Sequence, residues 1–214
     1  MARLVFTLYD TTSLASSHEQ FSDQDAKNPQ EYINFNTYNW ADKAARIIVE
    51  PGGAYVAGDH LLLLDEAKPQ GGTDTVAIDP KIASDVNLNN IYNGGGFADK
   101  AAAAKFVLNP NLDGSWRLRV LLYDQVNQDY PSLIIYDWES PIDVPFDLNP
   151  LHFADKAARA IVQTGPAYQV GDHVDLLDEV NQPTDSLTLD IGDVNLNSLG
   201  WADKAAAVMF HYGA

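Results

Sequence analysis

Two tripeptides set an acid beside an imidazole, Gly58-Asp59-His60 and Gly171-Asp172-His173. Such a pair can serve as an acid–base couple or supply ligands to a metal ion. Either chemistry needs a further group, and no second histidine lies at metal spacing near either copy. Glycine and aspartate ahead of an apolar run are ordinary turn residues, so both copies read as turns. The other histidines, His18, His152 and His211, form no constellation with each other.

Four more aspartates, Asp42, Asp99, Asp155 and Asp203, each occupy the same place in a repeated string and could be oxygen ligands for calcium. Their alternative role is a cap that accepts hydrogen bonds from main-chain N–H groups opening a short turn, and this is the reading adopted. The acidic pairs Asp65-Glu66 and Asp178-Glu179 suggest glycosidase carboxylates, but adjacent residues of a strand point to opposite faces. There is no GxSxG, P-loop, HExxH or glycine fingerprint between a strand and a helix. Gly94-Gly95-Gly96 reads as a loop into the second string. No catalytic, cofactor-binding or metal residue is assigned, and enzymatic function is disfavoured.

The elements that carry these residues follow from the string itself. It occurs four times, at residues 40–45 (WADKAA), 97–102 (FADKAA), 153–158 (FADKAA) and 201–206 (WADKAA). Residues 54–66 match 167–179 at an offset of 113, and DVNLN recurs at 85–89 and 193–197. The chain is therefore a duplicated pair of units, spanning roughly 1–50, 53–108, 115–163 and 166–214. The turn-rich residues 109–114 (NPNLDG) mark the boundary between domains 1–109 and 114–214. Short apolar runs at 3–9, 60–64, 118–123 and 174–177 open the units, with second runs at 75–78, 133–136 and 187–189. Runs of this length and composition, broken by Gly, Pro, Asn and Asp, predict antiparallel strands. Only the string is helix-like, and it is too short for more than about one turn. Four strands per unit predict an all-β chain of two β-sandwich domains, each built of two Greek-key motifs. The aromatic residue opening each string (Trp40, Phe97, Phe153, Trp201) reads as a core anchor.

Charge excludes several partners. The chain has 13 basic and 30 acidic residues among 214, for a net charge of −17. Both halves are acidic, with eight basic and 14 acidic residues in 1–109 and five and 16 in 110–214. That field repels phosphate backbones and anionic lipid, so neither nucleic acid nor a membrane is expected as a partner. Without cysteine there is no disulfide, thiolate ligand or cysteine nucleophile. No apolar run reaches 18 residues, and the N-terminal run lacks the features of a secretory signal, so cytoplasmic residence is the expectation.

The pattern resembles the βγ-crystallin superfamily, of the non-lens microbial or fungal type. A unit there opens on a strand ending in an aromatic and an acidic residue. It later carries an aromatic, an Asx-Asp pair, a basic residue and two hydroxyl residues before its last strand. Leu-Tyr-Asp at 8–10 and 122–124, Leu-Asp-Glu at 64–66 and 177–179, and the four strings stand in those places. In calcium-binding members the motif is two Asn/Asp, two variable positions, then Ser/Thr and Ser. Here the first position is Ala41, Ala98, Ala154 or Ala202, the hydroxyl position is Ala45, Ala102, Ala158 or Ala206, and the last is Arg46, Ala103, Arg159 or Ala207. Calcium takes six to eight oxygens, and an alanine offers only its carbonyl. The motif thus reads as degenerate. The hairpin glycine the family uses has a counterpart only in Gly71-Gly72, so the other hairpins are expected to turn differently.

The resemblance implies a non-enzymatic, highly stable structural protein of stressed, dormant or developing cells that has lost calcium binding. Two alternatives remain: weak calcium binding through Asp42, Asp99, Asp155, Asp203 and main-chain carbonyls, and glycan or protein recognition through the variable loops 16–31 and 138–146. Self-association by domain pairing is a further expectation, since a short linker allows pairing within a chain or between chains.

Overall fold

The computed structural model describes residues 1–26, 31–66, 74–91, 96–151 and 153–213. The chain divides into two compact units, Met1–Asn109 with Asn127–Tyr130, and Pro110–Val126 with Pro131–Ala214. The first contains strands β1 Leu4–Tyr9, β2 His18–Ser22, β3 Ile33–Asn34, β4 Arg46–Pro51, β5 His60–Leu64, β6 Thr75–Ile78, β7 Asp85–Asn87 and β8 Ala103–Val107. The second contains β9 Leu118–Tyr123, β10 Leu133–Tyr136, β11 Phe146–Asp147, β12 Arg159–Thr164, β13 His173–Leu177, β14 Ser186–Leu189, β15 Gly192–Asn195 and β16 Ala207–His211. No helix among the described residues is long and apolar enough to cross a membrane.

Within each half the chain forms two four-stranded motifs: the first two strands of a motif form a hairpin, its fourth returns beside the first, and its third crosses to the sheet of the other motif in the same half. The sheets are ordered β2-β1-β4-β7 and β3-β8-β5-β6 in the first half, and β10-β9-β12-β15 and β11-β16-β13-β14 in the second, with antiparallel pairing throughout. A fourth strand beside a first is the Greek-key return. The expected fold is therefore the observed one: all-β, two sandwiches, two Greek keys in each.

Alternation along the strands builds the cores. In β1, Leu4, Phe6 and Leu8 are fully buried, as are Leu61 and Leu63 of β5 and Ala104 of β8. These residues belong to one cluster spanning both sheets of the first unit. At its centre Phe6 lies 5.1 Å from Phe21, 6.1 Å from Phe35 and 5.6 Å from Phe106, ring centre to ring centre. Phe21 comes from β2, which lies inside residues 16–31, expected from sequence to form a variable loop. That strand escaped notice because it is an edge whose burial rests on Phe21, the other residues of HEQFS being partly or fully exposed.

The string is not helical. Helical geometry instead falls just before it, in four of the five 3-10 turns among the described residues, at Phe35–Tyr38, Leu88–Asn90, Asn149–Leu151 and Leu196–Leu199. Their common pattern is an apolar residue, Asn or Asp, Phe or Leu, then Asn: INFN, VNLN, FDLN and VNLN, from residues 33, 86, 146 and 194. The Asx oxygen of Asn34, Asn87, Asp147 or Asn195 accepts from the N–H two residues on, at 2.9–3.0 Å. The Phe or Leu that follows is buried at 0% exposure in all four. DVNLN was legible as a repeat, but its fourfold form and its role as a cap were not.

Gly71-Gly72, Gly94, Gly95 and His152 lie outside the described residues.

Candidate functional site

The four strings meet in pairs, one pair inside each sandwich. Asp42 donates its N–H to the Ala101 carbonyl at 3.1 Å, and Asp99 donates to Ala44 at 3.1 Å. Asp155 donates to Ala205 at 2.9 Å, and Asp203 to Ala157 at 3.1 Å. The next alanine ties three elements together. The N–H of Ala45, Ala102, Ala158 and Ala206 bonds to the end of a first strand, at Tyr9, Leu64, Tyr123 and Leu177. Their carbonyls accept from Leu88, Phe35, Leu196 and Leu148, each the opening residue of the partner's 3-10 turn or its neighbour. The string aromatic is held by its own turn: Trp40, Phe97, Phe153 and Trp201 donate to Phe35, Leu88, Leu148 and Leu196. All four aromatics are buried, as expected of core anchors.

This arrangement corrects the cap reading of the aspartates. Among the described residues no N–H reaches the carboxylates of Asp42, Asp99, Asp155 or Asp203, which are exposed. Instead all four residues sit at positive φ, between 56° and 58°. Aspartate and asparagine tolerate this left-handed conformation better than other side chains. The acid is present for its backbone, turning the chain so that its N–H faces the partner string. Asp42→Gly is accordingly expected to leave stability unchanged or raise it, while Asp42→Val costs about 1–2 kcal/mol. Urea denaturation of the two variants checks this, and equal losses would restore the cap.

The acid of each Gly-Asp-His tripeptide is a structural anchor. Asp59, 0% exposed, pairs side-on with Arg3 just ahead of β1, Nε to Oδ2 at 2.9 Å with a second bond from the terminal nitrogen. It also accepts from the N–H groups of Val56 and Asn109, both at 2.9 Å. Asp172 repeats this with Arg117 and the N–H groups of Gln169 and Gly213, at 2.8, 2.8 and 2.9 Å. Each carboxylate thus fastens a first strand to the end of its own sandwich. Burial pushes the Asp172 carboxyl upward, but the N–H of Gln169, the guanidinium of Arg117 and the N–H of Gly213 outweigh it, and it lies below the usual carboxylate range.

The acidic pairs close hairpins. Asp178 accepts from the N–H groups of Thr184 and Asp185 at 2.9 and 3.0 Å, and Asp65 from Asp74 at 2.8 Å. At the last motif position, Arg46 and Arg159 form two-pronged pairs with Asp85 and Asp193 across β4–β7 and β12–β15, with Nε–O distances of 2.7 Å.

The histidines differ from expectation in one respect. Strand pairing sets His211 of β16 directly opposite His173 of β13, rings stacked with centres 4.6 Å apart. The residues are 38 apart in sequence, which hid the pairing from any reading of local spacing.

The fold and its sites thus define a class: an all-β protein of two Greek-key sandwiches, each closed by a reciprocal pair of alanine strings and a buried arginine–aspartate lock. Among solved structures, the chain is similar to the NMR-derived solution structure of protein S complexed with calcium, over 100% of both chains, at 10% identity and a TM-score of 0.35. No protein-family profile and no curated protein matches it.

Proposed function

We propose that this protein is a non-enzymatic scaffold of βγ-crystallin type whose persistence does not depend on calcium. The observation that carries the reading is the state of the eight string carbonyls. Ala44, Ala101, Ala157 and Ala205 accept the partner's aspartate N–H, and Ala45, Ala102, Ala158 and Ala206 accept the partner's 3-10 turn. The positions where a calcium-binding motif carries a hydroxyl are alanines no more than 9% exposed. What is left for an ion is a single outward carboxylate per string and the second lone pairs of committed carbonyls, short of six to eight oxygens. The string is a joint between motifs.

The role that fits is physical endurance in stressed, dormant or developing cells, in the cytoplasm. Cores are packed without oxidisable cysteine, and a net charge of −17 opposes self-association at high concentration. The test is a thermal melt in chelator and again in millimolar calcium. A ligand present at 100 times its dissociation constant adds about 2.7 kcal/mol, which moves the midpoint of a protein this size by several degrees. The expected result is a high melting temperature that calcium leaves in place. A rise of several degrees, removed by Asp42→Ala with Asp99→Ala, would instead establish calcium binding through the surviving acids.

A further inference from the structure

The outer face of the β11-β16-β13-β14 sheet carries a cluster that the first unit lacks. Val174, Leu176, Val208 and Phe210 point into the core at 0% exposure. The alternation turns His173, Asp175 and His211 outward, where one ligand atom from each lies within 4.8 Å of the others. In the first unit the matching positions of β5 and β8 hold His60, Leu62 and Val107.

Two features of the cluster point to an ion. First, both imidazoles have Nδ1 fixed by an acceptor. His173 Nδ1 faces the Gly171 carbonyl at 2.9 Å, and His211 Nδ1 faces Asp143 Oδ1 at 2.6 Å. In the tautomer that donates from Nδ1 to these acceptors, Nε2 carries the lone pair, the arrangement found behind metal-bound histidines. Second, Asp175 Oδ2 lies 3.1 Å from His211 Nε2, while Asp175 Oδ1 is buried with no hydrogen-bond partner among the described residues. A carboxylate with an orphaned oxygen, set against one imidazole nitrogen and within 4.8 Å of a second imidazole, is placed to help hold a cation. The loop at 138–146 delivers Asp143 to this place.

We propose that His173, Asp175 and His211 bind a divalent transition-metal ion of the zinc class, with Asp143 orienting His211. Two imidazoles and one carboxylate are a borderline-soft set that suits zinc, nickel or copper and not calcium. Tetrahedral zinc needs ligand atoms about 3.3 Å apart, so a bound ion would draw together atoms that lie within 4.8 Å of one another here. Three protein ligands leave the fourth position to water. The inference does not rest on the proposed scaffold role.

The test is calorimetric titration of tag-free full-length protein with zinc, in the presence of millimolar calcium. The expected result is one zinc per chain, and a cobalt-loaded sample with the intense visible bands of a four-coordinate site. His211→Val and Asp175→Leu, which install the residues of the first unit, should each weaken zinc at least about 100-fold, and Asp143→Asn about 10- to 100-fold. Asp42→Ala should leave binding unchanged. Absence of binding by the unaltered protein at roughly 100 µM zinc, far weaker than a built site, overturns the proposal. So does zinc binding that survives His211→Val with Asp175→Leu, or a cobalt spectrum of the six-coordinate aquo type.

Discussion

Asp59→Ala is expected to lower the stability of the first unit by about 3–5 kcal/mol, the cost of removing one member of a buried ion pair. The loss exceeds that of an ordinary ion pair because the carboxylate accepts four hydrogen bonds. Two come from Arg3 and two from the N–H groups of Val56 and Asn109. Alanine leaves the Arg3 guanidinium and two main-chain donors without their acceptor. Against a total of about 5–15 kcal/mol, this places the unit near its unfolding threshold. Trp40 is the sole tryptophan of residues 1–109, so with Trp116, Trp138 and Trp201 replaced by Phe its fluorescence follows the first unit in a denaturant titration. A change below about 1 kcal/mol, the value of an exposed pair, would show that the lock contributes nothing special. In the second unit the same lock has a pH signature. The Asp172 carboxyl lies below its usual value in the folded state, so its contribution is complete above the unfolded value of about 4. It is lost as pH falls through the lower folded value. Asp172→Ala should therefore flatten the acid limb of the second unit's stability profile and leave the neutral-to-alkaline side sloping as before.

Phe6→Ala carries the other large effect, a loss of about 3–5 kcal/mol. Phe6 is 0% exposed and touches an aromatic ring from β2, from the 3-10 turn after β3 and from β8. It bridges the two sheets at the point where both motifs contribute, and truncation leaves a void that three rigid rings cannot collapse to fill. Leu8→Ala on the same strand face should cost less, within about 2–5 kcal/mol. Thermal denaturation of the two variants decides the order, and a Phe6→Ala midpoint above that of Leu8→Ala would show that the aromatic cluster is not the core's centre.

Most of the scaffold was legible in the sequence because its strands are dense in buried aliphatics. HLLLL at 60–64, TVAI at 75–78 and LIIY at 133–136 are wholly buried and became strands with those bounds. The short third strands could not be read this way. β3 and β11 have two residues each, and their identity as strands comes from partners in the other motif. The candidate sites divide along the same line. The Gly-Asp-His turns were local and legible, whereas the arginine that each buried aspartate holds lies more than 50 residues away. The string aspartates were misassigned because the type of residue that caps a helix also tolerates the left-handed turn. Only backbone angles separate the two.

The exchange of third strands has a consequence for what counts as a complete object here. β3 completes the sheet of the second motif and β7 completes the sheet of the first, while Asp42 and Asp99 clasp from opposite sides. One motif alone is a three-stranded half with a missing edge and an uncovered apolar face. Cutting the chain at Pro51-Gly52-Gly53 would therefore release two fragments that behave as subunits of an obligate heterodimer, each dependent on the other's concentration. The peptide link between motifs acts as a tether that replaces that concentration with a fixed local one, and so makes a dimer's interior permanent in a single chain.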